Sequence, residues 1–262
     1  MNATSIAVFK QTVDTYKTKY KNATAKLCTK GTKIYRSIDE PGFEIRYGHV
    51  EVINGDTVET GRKFACNSDK TTAILNFADA LTPGGLVWSG ASTQEEHICR
   101  CSNLYASLTT SQANDGYYKI NSMSLSGVYA DSIIYSTDVL FFRSGKDYRF
   151  LDVPYTMDVI TCPAPSARLS AKNAQSIIFN RVDEIIKSAV VNNVDNLILG
   201  AWGCGAFGQN PEIVANAFRK SLKKYPAFDN VIFAIRSCRA DYATKTTDNY
   251  SVFKEVLSAG EN

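Results

Sequence analysis

Histidine is almost missing from this chain of 262 residues: His49 and His97 are the only two, so a histidine-rich metal site is not expected. The seven cysteines, Cys28, Cys66, Cys99, Cys101, Cys162, Cys204 and Cys238, contain no C-x-x-C pair, which disfavours zinc. Their odd number and scattered spacing lack the framework of a secreted disulfide scaffold. They are expected as reduced thiols in the cytoplasm. Long apolar runs are lacking too. None approaches the roughly 20 residues that span a bilayer, and no basic stretch followed by an apolar one opens the chain. Neither a membrane partner nor a signal peptide is expected. Charge of one sign is scarce, with 29 Lys and Arg against 26 Asp and Glu for a formal net charge of +3. That suits an anionic small ligand and falls short of a nucleic-acid footprint. What remains is an ordinary globular composition, 44% hydrophobic and 21% charged, in a chain long enough to bury its own core. No linker, repeat or low-complexity tract divides it, so one domain over 1–262 is expected.

Periodicity supplies the elements. Ile6, Phe9, Val13, Tyr16 and Tyr20 recur at helical steps over 5–20. Residues 43–66 alternate around Ile45, Tyr47, Val50 and Val52 and read as strands joined by a turn at Asn54-Gly55-Asp56. Residues 72–77 form a short apolar run, a buried strand. One helix is expected over 93–109, a long polar loop over 110–130, and strands at 133–142 and 157–162. Then come a helix over 173–191, a strand at 196–200, a helix from Pro211 to 223, a strand at 231–235 and a short closing helix. Alternating strands and helices in the second half imply an α/β fold with parallel pairing.

Two segments carry chemistry. The first runs from Asn76 through Thr82-Pro83-Gly84-Gly85-Leu86 to Gln94-Glu95-Glu96. It is a strand end, a glycine-rich loop and a helix start, where backbone can approach a ligand and free N–H groups face anions. A purely structural use competes, because Ser92-x-x-Glu95 and Thr93-x-x-Glu96 both match a capping box. The second is Leu199-Gly-Ala-Trp-Gly-Cys-Gly-Ala-Phe-Gly208. Its glycines between a strand and a helix suit a diphosphate, although the spacing is neither the dinucleotide fingerprint nor a P-loop. A strand–helix turn packed for its own sake is the competing use. Cys204 reads better as a packed cysteine than as a nucleophile, since no spacing links it to either histidine. Arg100, Arg143 and Arg236 have the reach for phosphates, yet each reads first as structural or solvated.

Taken in register, these segments resemble the bacterial-type poly(ADP-ribose) glycohydrolases, a branch of the macrodomain fold. The matching motifs are Pro-Gly-Gly, Gln94-Glu95-Glu96, Leu104-Tyr105, Ile134-Tyr-Ser-Thr-Asp-Val139 with Phe141-Phe-Arg143, Val159-Ile-Thr-Cys-Pro-Ala-Pro165 and the loop 199–208. The resemblance implies a three-layer α/β/α macrodomain-like fold with a mixed central sheet and an N-terminal helical extension. It implies hydrolysis of an ADP-ribosyl glycosidic linkage without metal or cofactor, by a monomer. Glu96 would be the general acid/base and Glu95 would hold the distal ribose. Asn76, Gly84, Gly85 and Gln94 would line the distal ribose and diphosphate. Gly203, Cys204, Gly205, Ala206 and Phe207 would wrap the diphosphate. The partners implied are ADP-ribose, ADP-ribosylated protein or polymer, with nucleic acid only as an ADP-ribosylated substrate. One departure stands out. The family's loop carries a third glycine where this chain has Leu86, whose side chain would narrow the site and resist a left-handed backbone. That puts turnover of polymer in question. It leaves open a reader that binds ADP-ribose without cleaving it, or a hydrolase of another ADP-ribosyl linkage.

Overall fold

Both faces of the strand Thr72–Phe77 are buried: Ala73 and Leu75 enter one apolar cluster and Ile74 the other. The same split recurs in its neighbours, as at Leu197 and Leu199 against Ile198, or Val231 and Phe233 against Ile232. A strand apolar on both faces must be covered on both. In this computed structural model, which describes residues 3–46, 48–124, 127–167, 174–237 and 248–258, helices supply both covers.

The strands are β1 (Thr32–Tyr35), β2 (His49–Ile53), β3 (Thr72–Phe77), β4 (Ile133–Arg143), β5 (Phe150–Cys162), β6 (Asn196–Leu199) and β7 (Asn230–Ala234). They form one mixed sheet in the order β1-β4-β5-β3-β6-β7-β2. β5, β3, β6, β7 and β2 are parallel, while β4 runs antiparallel to β1 and β5. The helices are α1 (Ala3–Thr18), α2 (Lys21–Lys26), α3 (Thr57–Ala65), α4 (Gln94–Cys101), α5 (Leu104–Leu108), α6 (Ser111–Ala113), α7 (Lys119–Met123), α8 (Ala174–Val191), α9 (Pro211–Lys224) and α10 (Asn249–Ser258). Phe218 of α9, Val182 and Ile186 of α8 and Phe253 of α10 cover one face. Phe9 and Val13 of α1, Val58 of α3, Ile98 of α4 and Leu104 of α5 cover the other.

Three expectations need correction. Residues 43–66 are not paired strands. Only His49–Ile53 is extended, and the turn at Asp56 opens helix α3 instead. Asp56 caps it by accepting from the N–H groups of Val58 and Glu59 at 3.0 and 3.2 Å, a local bond that outweighs the alternation. Tyr47 and Cys238 lie outside the described residues. The helix expected over 93–109 breaks at Ser102, which is extended (φ −144°, ψ −179°) and bridges to Phe141 of β4. The expected loop over 110–130 is largely helical, with α6, a π-helical turn at Asn114–Tyr118 and α7. Its polar letters hide a buried aromatic pair, Tyr117 and Tyr118, packed edge to face.

Candidate active site

Where β3 and β6 part, a side chain takes over the ladder. Their pairing ends at Ile74 and Ile198. Beyond it Gln94 accepts from the Phe77 N–H at 2.8 Å and donates to the Leu75 carbonyl at 2.7 Å. Its amide stands in for a peptide unit, so the first turn of α4 is fastened to the end of β3. The carboxylates of the next two residues are thereby placed over that strand end.

Both are buried, Glu95 at 2% and Glu96 at 4% exposure. Glu95 accepts from Asp79 N–H at 2.7 Å and from the Asn76 amide at 3.2 Å. Asn76 is wholly buried, and its Oδ1 has no partner among the described residues. Burial pushes the Glu95 carboxyl up to about 8, against the lowering pull of those two donors; the nearby Asp79 and Glu96 charges add to the rise. Glu96 accepts from Leu86 N–H at 3.0 Å and from the Thr93 hydroxyl. Neither glutamate closes a capping box, and Thr93 caps nothing with its side chain. The carboxylates are spent on the loop, not on the helix.

Glycine is required above them. Gly85 has φ +58°, and a Cβ there would lie 2.6 Å from Glu96 Oε1 and 3.2 Å from Glu95 Oε2. Gly84, at φ +68°, is pressed against Tyr105 in the same way. Leu86 has φ −97° and is 59% exposed. The expected conflict with a left-handed backbone does not arise, and its side chain faces solvent.

The loop after β6 is different. Trp202 anchors it, buried, with its indole N–H on the Cys162 carbonyl at 3.0 Å. Gly203 needs its left-handed φ of +77°. Beyond it Gly205 and Ala206 are exposed, and a Cβ on Gly205 would meet nothing within 4 Å. Among the described residues, the N–H groups of Gly205, Ala206 and Phe207 find no acceptor. Three free amides on one loop make an anion cradle. Burial pushes the Cys204 thiol up to about 12, which fits packing and not attack. Phe207 is half-buried against the core beside α9.

A cavity of about 510 Å³ opens at the carboxyl ends of these parallel strands, where ligands of open α/β sheets bind. Thr93, Gln94, Ala201 and Gly205 line it, together with Asp56, His97, Tyr148 and Arg236. The sequence reading missed Asp56. A capping Asp between a strand and a helix is the signal that would have found it. Arg100 and Arg143 are structural as expected, buried and bonded to Ser5 and Ala91 carbonyls and to Thr12, Gln11 and Tyr148. Arg236 instead pairs with Asp56 at 2.8 Å on the cavity wall. Among the described residues no cluster of His, Cys, Asp and Glu could hold a metal ion. No helix among them is long and apolar enough to cross a membrane.

A buried carboxylate pair beside an exposed backbone cradle, at the strand ends of a mixed α/β sheet, is equipment for cutting a phosphorylated glycoside. The model of the microbial-type PARG catalytic domain matches residues 6–144, more than half of the chain, and the chain belongs to that family. It is an ADP-ribosyl glycohydrolase, a hydrolase of the poly(ADP-ribose) glycohydrolase kind. It is similar to the crystal structure of poly(ADP-ribose) glycohydrolase from Thermomonospora curvata at 26% identity, over 97% of this chain and 99% of that one, with a TM-score of 0.80. Against the same protein bound to the inhibitor ADP-HPD the identity is 27%, over 96% and 98%, with a TM-score of 0.80. Against the Deinococcus radiodurans enzyme in complex with ADP-ribose it is 29%, over 91% and 98%, with a TM-score of 0.77. No curated protein matches the chain.

Proposed function

We propose that this chain, as a cytoplasmic monomer of one domain, releases ADP-ribose by cutting the glycosidic bond between a terminal ribose and its acceptor, with Glu96 as general acid and base. The observation that supports the reading is the buried carboxyl pair under the glycine loop: the Gly85 backbone packs so closely on Glu96 and Glu95 that a Cβ would lie 2.6 and 3.2 Å from their oxygens. A solved relative is described as holding ADP-ribose. Here the distal ribose would lie under Gly84 and Gly85, the diphosphate on the amides of Gly205 to Phe207, and the nucleoside in the cavity beside Asp56.

Glu96 gives its proton to the leaving oxygen as the C–O bond breaks, and positive charge develops on the ribose. Water then attacks the anomeric carbon and returns a proton to Glu96. The Thr93 hydroxyl both donates and accepts, so it can bond either form of that carboxyl. Glu95, held protonated near neutrality by burial, offers an O–H to a ribose oxygen. Asn76, wholly buried, supports the pair from below, and Gln94 fastens the turn to β3 while lining the cavity.

A second reading has its own observation. Glu95, as the proton-holding partner, would be the acid, with Glu96 the base. Glu96→Gln and Glu95→Gln separate the two when ADP-ribose release from polymer and from mono-ADP-ribosylated protein is quantified. Loss of turnover with retained ADP-ribose binding in Glu96→Gln alone supports the first. The same assay with Leu86→Gly tests the departure from the family's third glycine: higher activity on polymer is expected if the leucine obstructs the substrate, and no change removes that idea.

A further inference from the structure

The residue after Glu96 faces the other end of the cleft. His97 is 8% exposed. Its Nδ1 is 2.8 Å from the Tyr148 hydroxyl. Its Nε2 is 3.3 Å from Asp56 Oδ1, yet lies outside hydrogen-bonding geometry with it and has no other partner among the described residues. A buried ring nitrogen left so close to a carboxylate is costly unless a small rearrangement completes the bond. Nε2 itself is closed to solvent, so a ligand cannot be its partner and any effect on binding must pass through Asp56.

Four segments converge on this imidazole. Asp56 caps α3 and pairs with Arg236 beyond β7. The tip of the β4–β5 hairpin closes over it, where Gly145 N–H donates to Glu59 at 2.7 Å and a Cβ on Gly145 would stand 3.2 Å from Nε2. The fourth is α4 itself. All four line the 510 Å³ cavity. The charged and titratable groups around the ring are Asp56 and Glu59 from the α3 turn, Lys146 and Tyr148 from the hairpin, Arg236 after β7, and Glu96, Arg100 and Cys101 from its own helix.

We propose that His97 is a positioning residue: it ties the Asp56 wall of the cavity to the helix turn that carries Glu95 and Glu96, and the tie tightens when the imidazole gains a proton and pairs fully with Asp56. This rests on the nucleoside end of ADP-ribose occupying that cavity. Asp56 remains anionic across the working range. Burial acts to raise its carboxyl, but the nearby His97 ring, the Glu59 N–H and Arg236 outweigh it and hold the group below its ordinary range. Asp56 therefore offers the imidazole a fixed negative charge.

The test is ADP-ribose affinity by calorimetry from pH 5.5 to 8.5, with steady-state kinetics, for wild type, His97→Gln and His97→Phe. Wild type should bind about three- to tenfold more tightly at pH 5.5 than at pH 8.5. His97→Gln, which keeps a donor, should bind near the wild-type value at pH 8.5 and show a flat profile. His97→Phe should bind about tenfold more weakly than wild type at pH 5.5. In both variants KM should move while kcat stays within about threefold. Thermal melts establish that each variant is folded. In the folded variants, a wild-type affinity and pH slope would overturn the tie, as would a fall in kcat at unchanged KM. Wild type that binds no ADP-ribose at any pH would overturn the reading of the cleft itself, a result visible without either variant.

Discussion

The two ends of the cleft are made of different material. At the β3–α4 end the polar groups are engaged side chains: Asn76, Glu95 and Glu96, which are buried, and Gln94, which is half-buried. At the β6–α9 end they are backbone amides of Gly205, Ala206 and Phe207, on a loop whose surface is largely exposed. Proton transfer needs a group of set pKa in a set place, which only a side chain locked by its neighbours provides. Holding a diphosphate needs directed N–H groups, which any residue carries if the chain bends correctly. The first end should therefore be sensitive to residue identity and the second to backbone conformation.

Glu96→Gln is the strongest way to break that contrast. It keeps the shape and removes the proton, so kcat should fall about a thousandfold while calorimetric affinity for ADP-ribose changes by less than about threefold. Retained turnover would end the assignment. Gly85→Ala comes next. Its Cβ would press on Glu96 Oε1 from a left-handed backbone, so activity should drop about a hundredfold and stability by about 2 kcal/mol in urea titration. Glu95 gives a pH signature. Its carboxyl, pushed by burial up to about 8 from an ordinary 4.5, favours the protonated form. Stability from this group is therefore fully present below about pH 4.5 and is lost as pH rises through about 8. Glu95→Gln should flatten the fall in Tm over that window; an unchanged slope would mean that Glu95 is charged in the folded protein. The smallest effects belong to the cradle. Gly205→Ala should stay within about 0.5 kcal/mol of wild type. Gly203→Ala, forced onto Ala164 from φ +77°, should cost about 1–2 kcal/mol. Equal losses at 203 and 205 would remove the distinction between conformation and identity.

Much of this was readable in the letters, for physical reasons that differ by element. α8 and α9 follow the 3.6-residue period because one stripe of each is buried. β3, β6 and β7 read as short apolar runs because both faces are covered. The candidate carboxylates and both glycine loops lay in contiguous motifs, so the letters singled them out, but spacing alone suited a capping box and a packed turn as well, and the resemblance supplied their roles. α3 was missed because its cap at Asp56 is one polar residue in an alternating stretch. The break at Ser102 was missed because its cause is a bridge to Phe141, distant in sequence. The cavity wall at Asp56, His97, Tyr148 and Arg236 draws on four separate segments, and no single window contains it. The bonds of the Gln94 amide were not legible for the opposite reason: a resemblance names the residue but not which neighbour its amide satisfies.

That amide has a consequence for how scans of this protein would read. Position 94 needs an acceptor and a donor on one planar group at one reach, and glutamine alone supplies them. A glutamate there would bring like charge to the Leu75 carbonyl, and a methionine would leave both strand groups unmet. Either would loosen the turn beneath Glu95 and Glu96 and silence the enzyme as thoroughly as losing its acid. In an activity screen residue 94 would pass for a participant in the chemistry, although its work is that of a missing rung of β-sheet.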